Sequence, residues 1–230
     1  MISANTDTQL LLFLNSFLGS NDLYNRLLWD AIGGNALVRG FPIFFPLIAL
    51  WFSGDCKKRR GRMLAGLLAT SIATLVTVWL QHHFTPHIRP LLDPALHLHI
   101  ADPQWAGVFD RQGSFPSDSC TLYFSLAAII FSENRLVGCF CFIWVLVMVG
   151  VPRVVFGWHY PSDIAGSLVL GPGCVYLCTK ILNFGTLFDR VLKLFEGRMY
   201  IVHALLFVFL ADAYNLFLGL QLFSKLLLRL

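Results

Sequence analysis

Arg153, His159 and Asp163 stand at intervals of six and four residues in the run Pro152-Arg153-Val154-Val155-Phe156-Gly157-Trp158-His159-Tyr160-Pro161-Ser162-Asp163, between two apolar stretches. Together they are the parts of a phosphoryl-transfer site. Arginine presents a planar fork of N–H donors to phosphate oxygens. A histidine ring nitrogen can attack phosphorus, while an acidic neighbour holds its tautomer and stabilises the positive charge that develops. Pro161 and Ser162 read as the first turn of a helix, whose positive N-terminal end favours a phosphate. The same residues also suit a plainer part, a polar loop capping a membrane helix, with Asp163 satisfying free backbone N–H groups.

Two other segments favour the chemical reading. Arg89-Pro90 follows the second strongly apolar run, and Ser114-Phe115-Pro116-Ser117-Asp118-Ser119 opens the third. In this order the three segments resemble the signatures of the phosphatidic acid phosphatase type-2 superfamily: Lys-x6-Arg-Pro, then Pro-Ser-Gly-His, then Ser-Arg-x5-His-x3-Asp. The third matches at Arg153, His159 and Asp163, the first at Arg89 and Pro90, the second at Pro116 and Ser117. The resemblance implies that His159 is the nucleophile and Asp163 its orienting partner. It implies that Arg89, Arg153 and Ser117 bind phosphate oxygens, through a phosphohistidine and with neither metal nor cofactor.

Four positions depart from the pattern. His82 stands at the first lysine, Asp118 at the glycine, Pro152 at the serine and Ser119 at the motif-2 histidine. His82 can replace the lysine as a phosphate donor, though charged only below about its ordinary pKa of ~6.5 unless the phosphate raises it. Pro152 and Asp118 also occur in some lipid phosphotransferases of the superfamily. Ser119 is the consequential change, because the family uses that histidine to protonate the leaving oxygen. A serine hydroxyl has no useful pKa near neutrality for the task.

The elements that must position these residues are membrane helices. Of 230 residues 57% are hydrophobic and only 13% charged, against about 25% charged in a soluble domain. The length suits one membrane domain, residues 1–230, with active-site loops at about 82–118 and 153–162. The fold class expected is all-α integral membrane: a six-transmembrane-helix bundle with an interfacial N-terminal helix. Residues 8–30 carry an apolar helical face of Leu10, Leu11, Phe13, Leu14, Phe17 and Leu18. Spans are expected at about 36–53, 63–81, 119–132, 136–152, 162–182 and 200–220, with Glu133-Asn134-Arg135 a tight hairpin connection. Residues 82–118 hold half of the prolines and most of the histidines, which reads as a loop or lid. Residues 1–9 lack a basic region, so no cleavable signal peptide is expected. The cysteines lie mostly in apolar segments, as small hydrophobes rather than disulfides or zinc ligands. His97, His99 and Asp102 read as loop residues rather than a metal cluster. Trp158 and Tyr160 read as interface anchors, and His203 and Asp212, in the last span, as facing other helices or sitting near its ends.

The run Lys57-Lys58-Arg59-Arg60-Gly61-Arg62 orients the bundle. By the positive-inside rule it is cytoplasmic, which puts 82–118 and 153–161 together on the opposite face. The net charge of +4 comes largely from this run, so it reports topology and no nucleic-acid partner. The function expected is a multi-pass plasma (inner) membrane phosphatase acting on a lipid phosphate or pyrophosphate, its active site facing the periplasm or exterior. Substrates implied by the resemblance are undecaprenyl pyrophosphate, phosphatidylglycerol phosphate or phosphatidic acid. Two alternatives stand beside it: a lipid-to-lipid phosphotransferase using a pyrophosphate donor, and a family member that binds lipid phosphate without turnover.

Overall fold

The structure, a computed structural model, describes residues 4–19, 21–30, 35–54, 57–83, 88–100 and 113–214. These residues contain helices and no strand: α1 (Ala4–Asn15), α2 (Asp22–Leu28), α3 (Ala36–Phe52), α4 (Lys57–His83), α5 (Asp118–Glu133), α6 (Arg135–Val155), α7 (Pro161–Ile181), α8 (Phe184–Leu194) and α9 (Met199–Tyr214). Side-chain caps mark several starts. Asn35 Oδ1 accepts from the Leu37 and Val38 amides, and Asn134 Oδ1 accepts from that of Val137. Each such cap is worth about 1 kcal/mol. Asn134 also closes α5, its own amide donating to the Ile130 carbonyl. One residue therefore makes the hairpin turn expected there.

Among the described residues three helices are long and apolar enough to cross a membrane: Lys58–His83, Arg135–Val155 and Pro161–Ile181. Leu37–Phe52 and Met199–Ala213 are shorter apolar helices. α6 and α7 each contain a π turn, Leu146–Gly150 and Leu177–Ile181.

α5 is the central helix. Ser119 to Ala127 are all buried, and α5 packs on α3, α4, α6 and α7. Close approach to α7 depends on Gly171, where a Cβ would fall 2.6 Å from Ser125 Oγ and 2.7 Å from the Thr121 carbonyl oxygen. The main core joins Leu122, Phe124, Leu126 and Ile129 of α5 to Ile43, Leu47, Trp51, Met63 and Leu67. A second cluster sits at one end, where Leu18 meets Leu91, Val155, Phe156 and Trp158.

Two ties set the direction of the bundle. At one end Arg62 grips Glu133 through both carboxylate oxygens, at 2.9 and 2.8 Å, joining the start of α4 to the end of α5. At the other, Gln81 Nε2 donates to the Pro116 carbonyl at 2.6 Å, joining the end of α4 to the approach of α5. The basic run and the motif-bearing segments thus lie at opposite ends.

Several boundaries differ from the sequence reading. α4 continues back through the basic run, since Lys, Arg and Leu are strong helix formers and charge does not end a helix. The segment 8–30 forms two helices, with Asn21 capping the second. Residues 184–194, between the last two expected spans, form an amphipathic helix packed on α4. Trp158 is buried rather than an anchor at the lipid boundary, because it packs against Trp29 and beneath Arg153. His203 does face other elements, its ring lying against Trp51 and Phe52. Asp102 and positions 215–220 of the sixth expected span lie outside the described residues.

Candidate active site

Four chain segments deliver the polar side chains to one end of the bundle. Arg89 precedes a short 3-10 turn, Pro90–Leu92, and Pro90 holds it extended at φ −61°, ψ 138°. Ser117 is the N-cap of α5, its Oγ accepting from the Cys120 amide at 3.5 Å, and it places Asp118 and Ser119 on the first turn. Arg153 lies in the last turn of α6. His159 and Asp163 flank the start of α7. Gly157 makes the turn between α6 and α7 with φ +70°, a conformation glycine adopts without strain.

His159 is almost fully buried, and its two ring nitrogens have different partners. Nδ1 lies 2.8 Å from the Ser114 carbonyl oxygen and 3.5 Å from Asp163 Oδ2. A carbonyl can only accept, so Nδ1 carries the proton and the lone pair is on Nε2. Nε2 faces Arg89 NH1 at 3.3 Å, and the same NH1 donates to the Trp158 carbonyl at 3.3 Å. Burial pushes the His159 pKa below its ordinary 6.5, although Asp163 opposes the shift, so the ring is neutral at neutral pH. Burial also lowers the Arg89 pKa below the ordinary arginine value, against the pull of Asp118 and Asp163. A guanidinium keeps its charge even so.

Asp163 is fully buried and holds the helix start as well as the ring. Its Oδ2 accepts from the Tyr160 amide at 2.8 Å. Its backbone carbonyl accepts from the Ser117 amide at 3.4 Å and from Ser167 Oγ at 2.8 Å, which joins the second motif to the third. The structural and the chemical readings of this aspartate therefore coexist. On the other side, Arg153 NH2 donates to Ser119 Oγ at 2.9 Å, with its guanidinium carbon 4.6 Å from the centre of the Trp158 ring. The Ser119 amide donates to Asp118 Oδ1 at 2.7 Å. Asp118 lies within electrostatic reach of Arg89, Arg153 and His159.

Arg89, Ser117, Asp118, Ser119, Arg153, His159 and Asp163 thus share one connected region. His82 stands apart from these contacts: it is exposed on the last turn of α4, its Nδ1 2.8 Å from the Val78 carbonyl. His97 and His99 are exposed in the loop that follows Arg89. Sequence reasoning missed Ser114, whose contribution is a backbone carbonyl that no side-chain pattern announces.

A neutral imidazole with Nε2 turned toward a buried guanidinium can attack an anionic electrophile whose charge the arginine holds. Residues 62–186 match the PAP2 superfamily. The chain belongs to that superfamily. It is 33% identical over 161 residues to the undecaprenyl-diphosphatase BcrC of Bacillus subtilis (strain 168), covering 66% of this chain and 74% of that protein. It is 32% identical over 138 residues to YbjG of Escherichia coli (strain K12), covering 56% and 63%. Over 60 residues it is 38% identical to the bacitracin transport permease protein BcrC of Bacillus licheniformis, covering 25% and 28%. No solved structure matches the chain. The PAP2 match runs from the basic end of α4 to the first turn of α8, so it contains every residue of the cluster.

Proposed function

We propose that this PAP2 protein is a membrane phosphatase that hydrolyses a lipid pyrophosphate, undecaprenyl pyrophosphate being the substrate its relatives favour. The observation that carries the reading is the imidazole of His159, neutral, tied through Nδ1 to Ser114 and open through Nε2 toward Arg89. Nε2 attacks the terminal phosphorus, a P–N bond forms, and the P–O bond to the lipid monophosphate breaks. Arg89 and Arg153 hold the non-bridging oxygens, with Ser117 at the α5 N-terminus. Asp163 and the Ser114 carbonyl stabilise the charge that grows on the ring. Water then attacks the phosphohistidine and releases phosphate.

Ser119 favours a pyrophosphate over a monoester. The leaving group of a pyrophosphate is itself a phosphate, a weak base that departs without a strong proton donor, whereas an alkoxide needs one.

The arrangement in the membrane completes the proposal. Six spans, with α1 and α2 at the interface, place Lys57–Arg62 in the cytoplasm and the site on the periplasmic or outer face of the plasma membrane. The test is phosphate release by purified protein from a panel of undecaprenyl pyrophosphate, phosphatidylglycerol phosphate and phosphatidic acid. Undecaprenyl pyrophosphate should be hydrolysed fastest, and His159→Ala should be inactive on all three. Binding of the lipids without release would instead support a non-catalytic family member, with Ser119 in place of the acid as the reason for the lost turnover.

A further inference from the structure

We propose that Asn15 and Asp7 of α1 are positioning residues of the phosphate site, holding in register the segments that carry Arg89, Arg153 and His159. The proposal rests on the reading of that site given above. Both residues lie outside the stretch that matches the PAP2 superfamily.

Asp7, Leu11 and Asn15 recur at intervals of four, so they share one face of α1, and all three are buried. A buried carboxylate and a buried amide are costly unless their hydrogen bonds are made, and here they are. Asn15 Nδ2 donates to the Val155 carbonyl at 2.9 Å, two residues beyond Arg153. It also donates to the His99 carbonyl at 3.0 Å, while Asn15 Oδ1 accepts from the His99 amide at 2.8 Å. The amide pairs with His99 as a neighbouring strand would, and only this orientation satisfies the His99 amide. One side chain therefore links the loop of Arg89 to the helix end of Arg153.

Asp7 does the same for the third segment. Its Oδ1 accepts from the Ser162 amide at 2.9 Å and its Oδ2 from Ser162 Oγ at 2.6 Å, in the first turn of α7 between His159 and Asp163. The apolar side of the contact continues the pattern, since Leu14 and Leu18 pack with Leu91, Val155, Phe156 and Trp158. A displacement of about 1 Å at a reacting centre can cost on the order of a hundredfold in rate. Arg89 and Arg153 sit on separate segments, so their separation depends on such cross-links.

The experiment uses the full chain in lipid nanodiscs, with Asn15→Ala, Asn15→Asp, Asp7→Ala and Asp7→Asn. Asn15→Asp keeps the acceptor for His99 and removes both donors, which serves should Asn15→Ala fold poorly. Phosphate release from undecaprenyl pyrophosphate is followed against pH beside helical content by circular dichroism. With helical content unchanged, Asn15→Ala and Asn15→Asp should each lower kcat tenfold or more. The acid limb of kcat/KM should move up toward the ordinary histidine value of about 6.5 as water reaches His159 among Arg89, Asp118 and Asp163. Asp7→Asn should restore most of what Asp7→Ala loses. Unchanged kcat and an unmoved acid limb in both Asn15 variants would overturn the proposal, as would losses that only track the folded fraction.

Should the original protein release no phosphate from undecaprenyl pyrophosphate, the substrate reading fails and the positioning claim is read from orthovanadate. Thermal stabilisation of the original protein by orthovanadate, with affinity weakened tenfold or more by Asn15→Asp, upholds it. Equal affinities overturn it, and absence of any stabilisation removes the site together with the claim.

Discussion

Ser119 decides how the cluster can work. Its hydroxyl accepts a hydrogen bond from Arg153, and its amide donates to Asp118, so the position of the motif-2 histidine is here part of a hydrogen-bonded network with an arginine and an aspartate. General acid catalysis typically contributes ~10²–10⁴-fold. Ser119→His should accordingly raise phosphate release from a monoester such as phosphatidic acid within that range, and raise release from a pyrophosphate less. Steady-state rates on the two substrates check this. His159 sets the pH dependence. Its pKa lies below 6.5 in the folded protein, chiefly through burial, so the ring stays neutral and nucleophilic to lower pH than an ordinary histidine does. The acid limb of the pH–activity profile should accordingly lie below the ordinary histidine value of about 6.5. The sign for stability follows from the same shift. The unfolded chain takes up the proton near ~6.5 and the folded chain does not, so the protein loses stability as pH falls below that value. At this scale Arg89, Arg153, His159 and Asp163 were legible from residue type and spacing. Ser114 was not, because its part is played by the backbone, and Trp158 was misread because burial under an arginine leaves no trace in composition.

The elements bring the site together through turns more than through the spans. Gly157 turns the chain from α6 into α7 at φ +70°, and its carbonyl accepts from the Leu91 amide at 2.8 Å, tying the third motif to the first. A Cβ there would sit 3.0 Å from Leu98 Cδ1 and in a backbone region that costs a non-glycine residue roughly 1–2 kcal/mol. Gly157→Ala should lower stability by at least about that much, measured by denaturant unfolding, and reduce activity by shifting His159. The long apolar helices α4, α6 and α7 were readable from hydropathy, with Asn134 between α5 and α6 the clearest punctuation. The polar residues of α1 were harder. Asp7 and Asn15 look in sequence like the wet side of an interfacial helix, yet both are buried, because the segments they hold come from 84, 140 and 155 residues further on. Long-range partners of that kind leave no local periodicity.

For the molecule as a whole, the separation of charge and chemistry is the organising fact. Arg62 and Glu133 fasten one end, and the motif segments converge at the other. If the basic end is cytoplasmic, single cysteines at Lys58 and Ile100 in a cysteine-free background should label from opposite sides of a sealed membrane. Labelling of both from one side would refute the topology. The most direct test of the account is to find the phosphate on the protein. Purified protein mixed with undecaprenyl pyrophosphate labelled in its terminal phosphate, quenched in base within a turnover and digested, should yield a peptide phosphorylated at His159. The label should be acid-labile, absent from His159→Ala, and chased away by longer incubation. Phosphate release with no label at His159, or with label on another residue, would contradict the account.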